Sequence, residues 1–210
     1  ACGAVLVPVL WGHKQQHKNG MHILLPASDV TFVFVNLDTK LEDFKFWMAH
    51  ELAHVYTPEL AGSDAGEDFA DAFAGALLFP EACAQLAYAE ATQASNATGE
   101  VNILQQHARH HQISLNTVFQ QTQGYARENQ LPSLRVIETT IHMVRNSSAP
   151  QLVSSILFDP TPPKPAQYLA AASNVFQSEF FMALKRMIRE HGTGPSYVQQ
   201  IMDVSLSDAS

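Results

Sequence analysis

Two histidines four residues apart, His50 and His54, place the strongest constraint on the fold of this chain, because with Glu51 they form the pattern His-Glu-x-x-His. Residues four apart on an α-helix project from the same face, so both imidazoles can reach one metal ion. Glu51 then lies slightly round the helix, where it can take a proton from a water molecule. The pattern is short, however, and the chain has 10 histidines. Two partly buried histidines on an amphipathic helix would read the same, so the context has to decide.

The flanking sequence predicts a pair of helices around this pattern. Thr39 and Glu42 match a capping box at the start of the first helix, and Pro58 predicts its end. A second helix is expected to start at residue 63 or 64 and to end before Pro80. The expected apolar faces are Phe44, Met48, Leu52 and Val55 on the first helix, and Phe69, Phe73, Ala76 and Leu77 on the second.

A third protein ligand is the test of a catalytic zinc site, which typically has three such ligands and a water molecule. Glu67 on the second helix lies 13 residues after His54 (67 − 54), enough for a turn and a return past the first helix. Asp71 follows one helical turn later and can accept the N–H of a liganding histidine. Ala70 and Ala74 are small, which lets the helices approach closely. These residues favour a metal site over a solvated helix start.

The remaining sequence changes character near residue 40. We expect strands rich in Val, Ile, Leu and Phe at residues 5–11, 21–25 and 30–37, with a tight-turn signal at Asn19-Gly20. From about residue 81 onward the chain reads as mostly helical, interrupted by a proline-rich connection over residues 159–165. The element order therefore predicts an α+β fold with its strands at the N-terminal end.

Composition excludes several classes of function. A net charge of −8 argues against broad adhesion to nucleic acid or acidic membranes, and no apolar run approaches the roughly 20 residues that a membrane span needs. The two cysteines, Cys2 and Cys83, form no C-x-x-C, so any metal must be held by His and carboxylate, and a reduced cytoplasmic setting is favoured. The opening apolar stretch lacks a preceding basic region and does not read as a signal peptide. Because the chain starts without Met, we expect a longer protein.

The stretch H-E-L-A-H followed by E-D-F-A-D-A-F-A-G-A-L-L-F-P closely resembles the ImmA/IrrE family of metallopeptidases. That family has His-Glu-x-x-His and then Glu-x-x-Ala-Asn/Asp-x-Phe-Ala-x-x-Leu-Leu-x-Pro. The positions in register are Glu67, Ala70, Asp71, Phe73, Ala74, Leu77, Leu78 and Pro80. Phe79 departs conservatively from the family's usual Met. The resemblance is specific over residues 46–80. It also covers the preceding strands, extends more weakly to about residue 125, and is silent about the last 80 or so residues.

The resemblance implies a gluzincin-like zinc peptidase in which His50, His54 and Glu67 bind Zn²⁺ and Glu51 is the general base. It implies a zincin-like fold: a small N-terminal sheet packed on the His-Glu-x-x-His helix pair, followed by a mostly helical C-terminal part. Family members are cytosolic and cut regulatory proteins such as phage-type or stress-response repressors. Many carry an N-terminal Cro/C1-type helix-turn-helix domain, which would supply DNA contact ahead of residue 1.

On this basis the chain divides into a metallopeptidase core over residues 1–95, a helix-turn-helix-like segment over 96–150 and a helical segment over 151–210. The middle segment leaves two alternatives open, a scaffold helix pair and a DNA reader. Its histidines, His107, His110 and His111, are read as a solvated face or as a second metal site. A single helix is expected over residues 166–191, with an apolar face of Phe176, Phe180, Leu184 and Ile188 that serves either the core or a homodimer.

Two functions remain open at this stage. The first is the peptidase, with an edge strand within residues 21–37 holding the substrate and Tyr56, His22 or His17 stabilising the oxyanion. The second is a regulatory protein that uses the same fold as a sensor or interaction module. The presence of Glu51 favours the peptidase, because a protein that only binds has no chemical need for a general base.

Overall fold

The computed structural model describes residues 3–11, 19–25, 27–28, 30–147 and 151–202, and within them the chain is α+β. Three strands come first: β1 (Ala4–Val9), β2 (Gly20–Leu25) and β3 (Val30–Asn36). The helices that follow are α1 (Leu41–Tyr56), α2 (Asp64–Leu78), α3 (Glu81–Ala91), α4 (Ala97–His111), α5 (Leu115–Glu128), α6 (Glu138–Ser147), α7 (Val153–Leu157), α8 (Pro165–Asn174), α9 (Phe180–His191) and α10 (Pro195–Met202).

The chain forms two compact units, and one of them is made of two segments that are far apart in the sequence. One unit joins Ala1–Thr39 to Gln151–Ser210, and the other is Lys40–Pro150. The strands therefore share a unit with the C-terminal helices, whereas the His-Glu-x-x-His helix lies in the second unit. The three-segment division drawn along the sequence stays a prediction.

The strands of the first unit form one mixed sheet in the order β1-β3-β2. The central strand β3 runs parallel to β1 and antiparallel to β2, with Phe34 opposite both Val7 and Met21. The prediction of a tight turn at Asn19-Gly20 is wrong for Gly20, because Gly20 is the first residue of β2 and pairs with Val35. Within the described residues, β1 and β2 pair only with β3 and are both edge strands.

Aromatic residues from distant parts of the chain build the core of the first unit. Trp11 and Phe34 cluster with Met202, and the Trp11 indole donates a 2.8 Å hydrogen bond to the Met202 carbonyl. Phe180 and Leu184 of α9 pack against this cluster, as the core alternative predicted. The single helix expected over residues 166–191 is wrong, because α8 ends at Asn174 and α9 starts at Phe180. The proline-rich connection is confirmed as non-helical over residues 159–164, whereas Pro165, predicted to lie in it, is the first residue of α8.

In the second unit α1 and α2 pack together, and their local sequence fixes where they begin and end. The start of α2 is confirmed, since the Ser63 hydroxyl accepts a 3.1 Å hydrogen bond from the Gly66 N–H. The capping box at Thr39 is wrong: α1 starts at Leu41 after Lys40, and the buried Thr39 hydroxyl donates to the Asn19 amide oxygen instead. As predicted, α1 ends just before Pro58.

The face of α2 that is buried consists of small residues. Ala70 and Ala74 have no exposed surface, whereas Phe69 and Leu77 are 42% and 53% exposed, so the expected apolar face is wrong. At Gly66, an added Cβ would collide with the Leu60 carbonyl oxygen. Close approach to neighbouring backbone therefore selects Gly and Ala on the inner face and leaves the large side chains outside.

Helices α3 to α6 form the core of the second unit around Phe79, Leu104, Val118 and Ile141, all fully buried. The predicted break between α4 and α5 is confirmed, with Gln112 in a left-handed conformation (φ 53°) and the Ser114 hydroxyl capping α5. Both helices thus contribute core residues, as the scaffold alternative expects.

No single helix among the described residues is long and apolar enough to cross a membrane. Helices α2 and α3 reach that length and composition only when counted together, and they are bent by 73° at the break between them.

Candidate metal centre

Helix α1 places the two histidines of the His-Glu-x-x-His pattern on one buried face. His50 is 4% exposed and His54 is 3% exposed, and their Nε2 atoms lie 3.2 Å apart. The i, i+4 spacing on a regular helix accounts for this approach. The sequence prediction that both imidazoles converge is confirmed as geometry.

Helix α2 brings Glu67 to the same point. Its two carboxylate oxygens lie 3.3 Å from His50 Nε2 and 3.5 Å from His54 Nε2, so the three side chains form a group that could hold a metal ion. The Glu67 side chain is 59% exposed. The centre is therefore walled by buried imidazoles on the α1 side and open to solvent on the α2 side.

Asp71, one turn after Glu67 on α2, fixes the orientation of His50. Its Oδ1 lies 2.9 Å from His50 Nδ1, within hydrogen-bonding distance of the ring N–H. When Nδ1 of a neutral imidazole carries the proton, Nε2 keeps its lone pair. The lone pair of His50 then faces Glu67 and His54, which is the arrangement that a metal ligand needs.

The three converging atoms cannot all be satisfied by the protons of neutral side chains. When the Nδ1–H of His50 is donated to Asp71, an Nε2–H on His54 is the proton left to share at this point. It can be donated to His50 Nε2 or to the Glu67 carboxylate, but not fully to both. A divalent cation would instead satisfy all three lone pairs, and two imidazoles with a carboxylate are donors that zinc accepts.

Glu51 lies beside this centre on α1 and is buried, with 4% of its surface exposed. One of its carboxylate oxygens lies within 4.8 Å of a ring nitrogen of His54. It is therefore close enough to act on a molecule held at the centre.

The sequence reasoning missed two aromatic neighbours of His50. The Trp47 and Phe46 rings lie 5.1 Å and 6.3 Å from the His50 ring, centroid to centroid. Both belong to the preceding helical turn, at three and four residues before His50, so helical spacing could have identified them. Packing of these two rings against the imidazole restricts its movement.

Three further residues are candidates for stabilising the oxyanion. Tyr56 is the last residue of α1 and 60% exposed, His22 lies on β2 in the first unit, and His17 falls outside the described residues. The choice among these candidates for the oxyanion stays open.

The histidines of α4 form no metal-ligating group of three within the part of the chain that the structure describes. His107 lies 2.8 Å from the Glu90 carboxylate. Burial lowers the pKa of His111 below its usual value, and the neighbouring His110 and His107 lower it further. A lowered pKa keeps His111 uncharged at neutral pH, which weakens the local basic character that DNA binding would use.

Comparisons with known proteins find no match to this chain among family models, curated proteins or solved structures. The resemblance to the ImmA/IrrE family therefore rests on the residues of the His-Glu-x-x-His pattern and of α2.

Proposed function

We propose that this chain is a zinc-dependent peptidase of ImmA/IrrE type, with zinc held by His50, His54 and Glu67. The observation that carries the proposal is the spacing of their ligand atoms, 3.2 to 3.5 Å. Tetrahedral zinc with bonds of about 2.0–2.1 Å separates its ligand atoms by about 3.3–3.4 Å. The two imidazole nitrogens are separated by about this distance, and each lies about this far from one of the two Glu67 oxygens. The group is therefore close to the spacing that tetrahedral coordination requires.

The chemistry divides between the metal and the protein. When bound, zinc supplies a Lewis acid that polarises a carbonyl and lowers the pKa of water to about 7. Asp71 holds His50 in the liganding tautomer. Glu51 takes a proton from the water that attacks the peptide carbonyl and passes it to the leaving amine as the C–N bond breaks.

The open side of the centre is suited to a polypeptide rather than to a small enclosed molecule. Glu67 and Asp71 have side chains 59% and 64% exposed, so the metal position is reached from solvent along α2. Taken with the family resemblance, this supports a protein substrate, and we propose a regulatory protein such as a repressor.

Replacing Glu67 with alanine should reduce the bound zinc from about one ion per chain to a small fraction of that after dialysis. The variant removes one of three protein ligands and leaves the buried imidazoles in place. Elemental analysis of the purified protein measures the change. Asp68→Ala is the matched control, because it removes the adjacent carboxylate on α2 and should retain zinc. Equal zinc in Glu67→Ala and wild type would remove Glu67 from the centre.

Replacing Asp71 with alanine should weaken zinc affinity by roughly 10- to 100-fold without unfolding the protein. The change deletes the acceptor of the His50 N–H and so releases the imidazole to other tautomers and orientations. Titration with a competing chelator measures the affinity. Asp71→Asn keeps an oxygen acceptor and should retain part of it. Wild-type affinity in Asp71→Ala would show that the hydrogen bond does not support the metal.

A further inference from the structure

A cleft of about 840 Å³ lies beside the metal centre in the second unit. Its main walls are residues of α2 between Asp68 and Ala76 and residues of α5 between Asn116 and Glu128, and we call it the α2–α5 cleft. Its volume lies within the roughly 300–1,000 Å³ typical of ligand sites.

The α2–α5 cleft and the metal centre share residues. Asp71, which accepts the hydrogen bond from His50, lines the cleft, and so does Phe46, whose ring contacts the His50 ring. A chain lying in the cleft therefore ends beside the metal ligands. This continuity distinguishes the cleft from an unrelated surface hollow.

The dimensions of the walls fit an extended peptide. At 1.5 Å per helical residue, the lining segment of α2 is about 12 Å long and that of α5 about 18 Å. An extended chain advances about 3.3 Å per residue, so the cleft has room for about four to five residues.

The charge of the α2–α5 cleft is strongly negative. Among the described residues, one cation lines the cleft, Arg127, and four carboxylates line it: Asp68, Asp71, Glu81 and Glu128. Asp71 is engaged by His50, whereas the other three form no ion pair with any described residue. Unpaired carboxylates along a cleft favour Lys and Arg side chains and disfavour acidic ones.

Amide side chains complete the recognition surface. Asn116 and Gln121 line the cleft, and amides both donate to and accept from peptide groups. The Asn116 amide oxygen is buried and has no hydrogen bond partner among the described residues. A buried acceptor without a donor is unfavourable, and a peptide N–H bound there would relieve it.

We infer that the α2–α5 cleft binds a basic stretch of the polypeptide substrate, with Lys or Arg within about five residues of the bond that is cut. The inference rests on the proposed function for its link to cleavage, but binding can be measured separately. Exposed ion pairs are individually weak, so each carboxylate contributes at most about fivefold in affinity. Specificity then comes from several of them together.

The test measures fluorescence anisotropy of two labelled hexapeptides, one alternating Ala and Lys and the other alternating Ala and Glu. The full chain carrying Glu51→Gln is used, because it lacks the proposed general base and leaves the peptides intact. The Lys peptide should bind more tightly than the Glu peptide, and salt should weaken its binding. Equal affinity for the two peptides would overturn the inference.

Neutralising the cleft should weaken binding of the Lys peptide by about 5- to 20-fold in Asp68→Asn/Glu128→Gln. The matched control is Glu59→Gln/Asp64→Asn, which removes the same charge from two exposed residues outside the cleft. A similar loss in both double variants would show that net charge, and not the cleft, attracts the peptide.

A second experiment fills the cleft with a larger side chain and so tests the inference without changing the charge. Gly124 lines the cleft, and a Cβ added there meets no atom within 4 Å, so Gly124→Leu projects into the cleft without a backbone clash. Replacing a glycine inside α5 also favours the helix, which protects the fold. Gly124→Leu should lose the Lys peptide and Gly124→Ala should keep most of it. Unchanged binding in Gly124→Leu would overturn the inference.

The two proposals fail in different ways. Cleft-dependent binding of the Lys peptide by a protein that cuts no polypeptide would contradict the peptidase and leave the binding site standing. If cleavage depends on zinc but no cleft variant changes it, the peptidase proposal is supported and the inference that the cleft binds substrate is contradicted.

Discussion

Replacing Glu51 with glutamine should reduce peptide-bond cleavage by about 10²- to 10⁴-fold, the usual contribution of a general base, while zinc binding stays unchanged. Glutamine keeps the size of the side chain and leaves His50, His54 and Glu67 in place. Its amide cannot take the proton of the attacking water. The measurement is the rate at which intact target protein disappears, with zinc content determined on the same preparation.

Glu42→Gln is the matched control, because it makes the same chemical change on the same helix, in the first turn of α1 and away from the metal centre. It should cleave at close to the wild-type rate. A general loss of helix stability would affect both variants, whereas loss of the proton acceptor affects only Glu51→Gln.

The same variant separates the peptidase from a regulatory protein that only binds its target. In cells, the peptidase requires Glu51 both for disappearance of the regulatory protein and for the change in expression of its target genes. A sensor would respond to loss of the metal but not to loss of a proton acceptor. Full gene output in Glu51→Gln, with the regulatory protein uncut in both strains, would contradict the peptidase.

The candidate metal-binding group could be predicted from the sequence because its geometry is local. His50 and His54 share a helix, Glu67 follows after one turn, and all three lie within 18 residues of one another. Helical periodicity fixes which side chains point together, and the small residues Ala70 and Ala74 indicate where the helices meet. The aromatic packing around His50 was not predicted.

Errors arose where a distant or tertiary contact overrides the local pattern. Thr39 matches a capping box, but its hydroxyl donates to Asn19, 20 residues away in sequence. The large residues Phe69 and Leu77 suggest an inner face by hydrophobicity, yet close packing of α2 admits only small side chains there. In each case the local sequence preference exists, but a tertiary contact overrides it.

The strand order and the division into units were also out of reach. The parallel pairing of β1 with β3 joins residues about 27 positions apart, such as Val7 and Phe34, and no local turn signal encodes it. Likewise the contact between Trp11 and Met202 spans nearly the whole chain. Periodicity identifies which elements exist, but the partners of an element depend on the whole sequence.

Replacing Phe79 with alanine should lower the free energy of unfolding by about 3–5 kcal/mol, the cost of removing a fully buried aromatic ring. Phe79 has no exposed surface and lies in the main core of the second unit, with its ring 5.2 Å from that of His111. For a chain of this size the thermal midpoint should fall by about 2–4 °C for each kcal/mol. Urea denaturation followed by circular dichroism measures the loss.

Phe79→Met is the matched control, because methionine is the residue that the ImmA/IrrE pattern usually has at this position. A large, flexible apolar side chain refills most of the space, so the cost should stay below about 1.5 kcal/mol. If alanine and methionine both cost about 3–5 kcal/mol, the position would require the aromatic ring itself, and if both cost little, the ring would not be filling the core. A small cost for methionine and a large one for alanine would show that this position requires a large apolar side chain rather than an aromatic ring. Phe79 could then replace the methionine of the ImmA/IrrE pattern without disturbing the fold.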